Sequence, residues 1–170
     1  LLEAGVQEAC FGAVWDPDAV NSIVDAGVGS NIKVEVGGKN NPELGGGPLR
    51  LKGKVMGIFN GDYRSEGPMY KGLVKSFGQT AVLHVIGIDI IVTTHNLQIL
   101  DRMQFAAYGI DPELKKVVAL KSMQHFRAAF RPLAAEVIVC DSGALARPRR
   151  SPLPFQNVSR PVYLLDKIPR

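Results

Sequence analysis

The sequence predicts an α/β fold: a single domain with a mixed β-sheet, β-hairpins and flanking helices, followed by an extended Pro/Arg-rich C-terminal strap. Three observations predict it. Apolar residues alternate along the chain between a spacing of two and a spacing of three to four, the periods of strand and helix. The chain has 170 residues, 46% apolar and 21% charged, which suits one ordinary core. Prolines and arginines gather after residue 146, so the expected partition is 1–146 for the α/β domain and 147–170 for a basic tail packed on it.

Ala9 to Trp15 reads as a strand. It is closed by Asp16-Pro17, where the carboxylate can cap free amides and proline occupies a helix's first position without losing a needed donor. Ala19, Val20, Ile23 and Val24 then repeat at helical spacing up to Gly27. Ile32, Val34 and Val36 alternate with Lys33 and Glu35, the pattern of a half-buried strand. Residues 37–48 hold five glycines and two prolines and read as a long loop. It lacks the Gly-Lys-Ser/Thr ending, opening into a helix, that a phosphate loop needs.

Leu49 to Phe59 reads as a long strand turning back at Asn60-Gly61, and Thr80 to Ile86 and Ile90 to Thr94 as a hairpin around Gly87-Ile88-Asp89. A helix is expected from Leu97 to Tyr108, ended by Gly109, with a short turn at Asp111-Pro112. Val117 to Leu120 is apolar on both faces and is expected at the centre of the sheet. A helix over 123–133, burying Phe126, Phe130 and Leu133, and a strand from Glu136 to Asp141 complete a strand, helix, strand unit.

Charge and composition exclude several functions. Of the net +4, residues 147–170 hold Arg147, Arg149, Arg150, Arg160, Lys167 and Arg170 against Asp166 alone, so the body is close to neutral and no nucleic-acid partner is expected. The longest apolar runs fall far below the roughly 18–20 residues of a membrane span, and no membrane partner or signal peptide is expected. Cys10 and Cys140 lie in stretches read as strands, where buried, reduced thiols and a cytoplasmic location are expected. The opening Leu1-Leu2-Glu3-Ala4-Gly5 resembles the last turn of a helix, as in a piece of a longer chain.

The chemistry-bearing candidates are few. With Gly87–Asp89 as the turn, His84 faces Val92, so strand parity puts His84 and His95 on opposite faces of the sheet, and they would share no metal. No metal-binding motif occurs, so neither a metal nor any other cofactor is expected within the chain. Lys121-Ser122-Met123-Gln124-His125-Phe126-Arg127-Ala128 lies where a strand hands over to a helix, the place at which α/β sheets gather ligands and helix amides meet anions. Ser122 and His125, three apart, would share a helical face, with Ser122 otherwise an N-cap that His125 satisfies. Lys121 adds a full charge, while Arg127 points elsewhere. Thr94, His95 and Asp101 form a second polar group that reads as turn chemistry.

Four stretches resemble the C-terminal domain of the microcystinase C (MlrC) family: Trp15-Asp16-Pro17 with Ala26-Gly27-Val28-Gly29; Val36-Gly37-Gly38-Lys39; Lys121-Ser122 with His125-Phe126-Arg127-Ala128; and Arg160-Pro161 with Leu165-Asp166. The resemblance implies a fragment of a zinc-dependent peptidase or amidohydrolase, with zinc bound by a missing N-terminal domain and this part, inactive alone, shaping the cleft. That N-terminal domain and a peptide or amide substrate would be the partners, and a homo-oligomer is open. Lys121 and His125 are then the candidates for contacting substrate or the developing oxyanion, with Ser122, Arg127 and His95 as substrate-binding candidates. The alternative is a non-catalytic α/β module that binds small anions or mediates oligomerisation.

Overall fold

Capping and periodicity near the N-terminus produce the elements they predict. Strand β1 (Ala9–Trp15) leads into helix α1 (Pro17–Ala26), and the Asp16 carboxylate accepts from the Ala19 amide at 3.0 Å to cap it. Gly27, at φ 79°, ends the helix. Strand β2 (Asn31–Val36) follows, then a single helical turn, α2 (Pro42–Gly45), inside the glycine loop, then β3 (Leu49–Phe59). The remaining elements are β4 (Asp62–Arg64), β5 (Val74–Ser76), β6 (Thr80–Val85), β7 (Ile88–Thr93), α3 (Met103–Ala106), a 3-10 turn (Pro112–Leu114), β8 (Val117–Leu120) and α4 (Arg127–Phe130). This computed structural model describes residues 1–140, 157, 159–161 and 166. All these elements lie in one compact unit, Leu1–Val137; Ile138–Arg170 forms a second.

The class is α/β. One mixed sheet has the order β2-β3-β6-β7-β1-β8, with β1 parallel to both β7 and β8 and the other pairs antiparallel; β4 and β5 form a small antiparallel sheet. One apolar cluster joins α1 (Ala19, Val20, Ile23) to Val55, Leu83, Ile88 and Val92, and a second joins Cys10, Val82 and Ile91 to Phe77, Phe105, Tyr108 and Phe130. Both clusters draw on strands of the large sheet, so it is buried on both sides. Val20 and Ile23 are wholly buried, each contributing roughly 1.5–3 kcal/mol. Gly12 has no Cβ because one there would sit 2.9 Å from the Phe105 ring.

Several expectations are corrected. The β6–β7 turn is Ile86-Gly87, with φ 45° and 79°, not Gly87–Asp89; a two-residue hairpin turn needs two positive φ values, and Ile86 accepts one here. Asn60-Gly61 does not fold β3 back on itself, since β4 pairs with β5 and β3 with β6. The helix expected from Leu97 is the single turn α3, because Gln104 Oε1 accepts from the Leu100 and Asp101 amides and fixes that segment outside a helix. Strand β8 lies at the sheet's edge and is half-buried rather than central.

The helix expected over 123–133 is likewise one turn, α4, with Phe130 buried but Leu133 43% exposed. Val137–Cys140 is not a strand, and Ile138, Val139 and Cys140 are exposed, so the expected strand, helix, strand unit does not form among the described residues. The last residue of that expected strand, Asp141, and most of the expected strap at 147–170 lie outside the described residues. In the second unit Arg160 and Asp166 form an ion pair at 2.8 Å.

Candidate functional site

Three adjacent parallel strands end at one rim of the sheet, β7 at Thr93 opposite Trp15 of β1, and β8 at Leu120 opposite Gly12, three residues short of them. The carboxyl edge of parallel strands is where open α/β sheets place ligands. Trp15, 39% exposed, donates its indole N–H to the Thr94 carbonyl at 3.0 Å, tying the end of β1 to the segment leaving β7.

Asp16 is the most committed group of the rim. Its side chain is 3% exposed, and besides the Ala19 amide it accepts from the Gly37 amide at 2.8 Å and pairs with Lys39 at 2.8 Å. Burial pushes its carboxyl up, but Lys39 and the two amides outweigh that and hold it below the usual carboxylate range. β1 and β2 are four positions apart in the sheet, which in a flat sheet would be about 19 Å. The Asp16–Gly37 bond therefore requires the sheet to curl round α1. Two of the four family-like stretches thus meet here, beside a hollow of about 200 Å³ lined by Trp15, Asp16, Gly37, Gly38, Lys39 and Asn40. The local sequence marks Asp16 as a cap, but nothing local signals its second oxygen's reach across 21 residues.

The Lys121 main chain is anchored to the sheet by donating to the Gly12 carbonyl at 2.9 Å, and its Nζ donates to Asn96 Oδ1 at 2.8 Å. Packing strips part of the ammonium's water and lowers its pKa. Ser122 Oγ accepts from Gln98 Nε2 at 3.0 Å. Ser122 is therefore not an N-cap: α4 begins five residues later, at Arg127, with no side-chain cap. The helical-face relation between Ser122 and His125 falls with it, and His125 stands exposed. Arg127 Nε reaches Gln124 Oε1 at 3.3 Å and its guanidinium lies 5.2 Å from the Phe126 ring centroid. His95 is exposed on the Asn96 segment, its Nδ1 3.4 Å from the Ser76 carbonyl oxygen. The structure thus gathers Lys121 and Ser122 with Asn96 and Gln98, two partners that no motif marked.

Asp101 leaves the group sequence reading gave it with Thr94 and His95. Its Oδ2 accepts from Ser65 Oγ and from the Glu66 and Gly67 amides at 2.8 and 2.7 Å, and Oδ1 accepts from Met103 at 3.0 Å. It walls a larger cleft of about 690 Å³ with Pro68, Arg102, Met103, Ala129 and Leu133. Its buried carboxylate is saturated with donors, and Arg102 in its wall is paired with Glu113.

His84 pairs across the hairpin with Asp89, at 2.7 Å, rather than with Val92. His95 lies past the end of β7 at Thr93, so strand parity does not set its face relative to His84. Asp89 also binds Lys115 at 2.7 Å. Among the described residues no three His, Cys, Asp or Glu side chains come together as metal ligands, so these donor sets do not fit a resident ion. Nor, among the described residues, is any helix long and apolar enough to cross a membrane.

The profile of the family described as "MlrC C-terminus" matches residues 1–157. "Microcystinase C" of Sphingomonas sp. is 29% identical over 168 residues, covering 99% of this chain and 31% of that protein. A solved structure, a "Putative metallopeptidase" from Mesorhizobium sp. BNC1, matches with a TM-score of 0.78 and 26% identity over 98% of this chain and 32% of that one. The chain spans about a third of the length of these relatives.

Proposed function

The chain belongs to the MlrC C-terminus family, and on that premise we propose that it is the C-terminal domain of a microcystinase-like zinc-dependent peptidase or amidohydrolase. In this reading a preceding domain carries the zinc, and residues 1–146 form one wall of the cleft where a peptide or amide substrate sits. The observation that supports it most is coverage: nearly all of this chain aligns with under a third of microcystinase C, leaving the larger part of such a protein to supply the metal.

Lys121, at the end of β8, is the cation offered to substrate or to a developing oxyanion, and the exposed His125 four residues on is the second candidate. Ser122, His95 and Arg127 would orient substrate around them. A cytoplasmic setting and self-association belong to the same proposal. The runner-up, a non-catalytic module that binds small anions, draws on the same rim, whose Lys121, Asn96 and Gln98 carry N–H donors.

The test compares this chain with the full-length parent for metal content and peptide-amide hydrolysis. The parent should hold zinc stoichiometrically and hydrolyse, and this chain alone should do neither. Lys121→Met and His125→Ala in the parent should each lower kcat/KM by at least about tenfold, a scale typical of one transition-state contact. A parent with neither zinc nor hydrolysis would sink the proposal in favour of the binding module.

A further inference from the structure

Strand β2 is outermost at the end of the large sheet opposite β8. It is hydrogen-bonded to β3, and among the described residues no strand flanks its other side. The Val55 amide donates to the Ser30 carbonyl at 2.9 Å, which makes Ser30 and Val55 a hydrogen-bonded pair in the antiparallel register that β2 continues. Alternation from that pair turns the backbone N–H and C=O groups of Asn31, Lys33 and Glu35 away from β3, and among the described residues no other backbone group bonds them. All three residues are exposed, while Val34 and Val36 are buried. The charges on this strand are unevenly answered. Glu35 pairs with Arg50, but Lys33 stands directly opposite Lys52, in a non-hydrogen-bonded position where Cα atoms approach to about 4.5 Å, and neither lysine forms an ion pair among the described residues. Like charges so placed destabilise a sheet.

We propose that the outer side of β2 is an interface for a second copy of this chain, the two β2 strands pairing antiparallel about a twofold axis at Val34 and joining two sheets into one. In that register Lys33 faces Glu35 of the second copy and Glu35 faces its Lys33, and each facing pair exchanges both its N–H···O bonds through the backbone groups that point away from β3. On the inner face Val34 meets Val34 and Ile32 meets Val36, continuing the apolar cluster around α1. Each Glu35 carboxylate then lies between its own Arg50 and Lys33 of the second copy, which gives Lys33 the counter-charge it lacks. The neighbouring in-phase registers, centred on Lys33 or on Glu35, set like charge against like charge. A one-residue slip would turn the buried face outward, so charge and burial select one alignment. A six-residue edge buries less than the roughly 1,200 Å² of a standing complex, so the dimer is weak, with a Kd of about 10 µM to 1 mM. This rests on the self-association included in the proposed function and gives it a surface, but it requires neither metal nor turnover, so its outcome is separable from that of the hydrolase assay.

The test is sedimentation equilibrium of the 170-residue chain up to about 1 mM, with hydrogen exchange read residue by residue, repeated on the full-length parent. The chain should pass from monomer to dimer and no further. Exchange at the Lys33 and Glu35 amides should slow as concentration rises, while the Val34 amide, turned towards β3, should not change. Lys33→Glu and Glu35→Lys should each weaken self-association about tenfold or more, since each sets like charges face to face. An equimolar mixture of the two variants should restore it, because every facing pair is then of opposite sign, and rescue by mixing separates lost pairing from misfolding. Lys71→Glu, away from the edge, should leave the dimer unchanged. A chain that stays monomeric to about 1 mM, a dimer indifferent to both swaps, a mixture no tighter than either variant alone, growth beyond dimers, or a parent that lacks these effects would each overturn the inference.

Discussion

Replacing Asp16 by alanine removes four interactions from a side chain that is 3% exposed: the cap on Ala19, the bond from Gly37 and two contacts with Lys39. Loss of the cap costs about 1 kcal/mol. Leaving the Gly37 amide without its acceptor costs about 1–2 kcal/mol. Breaking a fully buried ion pair costs about 3–5 kcal/mol, but Lys39 is 31% exposed and regains water, so its share is about 1 kcal/mol. The expected destabilisation is therefore about 3–4 kcal/mol. Asp16→Asn keeps one acceptor oxygen but turns an N–H towards donors, and should cost about 2 kcal/mol. Equilibrium urea unfolding of both variants, with hydrogen exchange at the Ala19 and Gly37 amides, reads the effect. A double-mutant cycle with Lys39→Met should give a coupling of about 1 kcal/mol. If Asp16→Ala lies within about 1 kcal/mol of the parent sequence, or if the two sites are strictly additive, the reasoning about this junction is refuted.

Acid should unfold the protein through its anchored carboxylates. Burial pushes Asp16, Asp89 and Asp101 up, but their hydrogen bonds, joined by a cationic partner for Asp16 and Asp89, outweigh it and leave all three below the ordinary value of 3.8. Such groups bind fewer protons folded than unfolded, so their contribution is complete above pH 3.8 and is lost as pH falls below it through the folded values. Urea midpoints should hold from pH 7 to about 5 and drop below about 4; an unchanged midpoint at about pH 2.5 would contradict this. Asp101→Asn should cost about 2–3 kcal/mol and speed exchange at Glu66 and Gly67, since one amide oxygen cannot replace a carboxylate taking four donors. Cys10 is wholly buried, with its thiol pushed up to about 12, whereas Cys140 is exposed. A maleimide reagent should therefore label one thiol in native protein and two in urea; two fast native labels would place Cys10 in reach of solvent.

Elements with local punctuation were legible from the residues. Asp16-Pro17 and Gly27 bound α1, and alternation bounds β3 at both ends and β2 at Val36. What failed depended on distant partners. Ile86 takes a positive φ that β-branched residues avoid, because strand pairing of Val85 with Ile88 overrides local preference, and that shift of register re-pairs His84 with Asp89. The apolar stretch 117–120 looks the same at an edge as at a centre, since burial from layers above and below does not depend on a second neighbour. Helical spacing from Leu97 to Tyr108 lost to Gln104, whose side chain holds the preceding amides instead of letting them continue a helix. At the rim, Lys121 and Ser122 stood out by their place after a strand, while Asn96 and Gln98 carry no motif and are found only through folding. The pairing of Asp16 with Lys39 required a curled sheet that no local pattern encodes.

Strand β8 is hydrogen-bonded to β1 along one side, through four register positions, and among the described residues no strand flanks its other side. An outermost strand detaches at lower free energy than the interior ones, so Lys121 follows a strand easier to loosen than β1 or β7. Fraying there would retract the ammonium from Asn96 while α1 and the inner strands stayed intact. Any polypeptide that pairs along that other side would stiffen the mount of the charge, and so tune the rim's grip on anions without touching it.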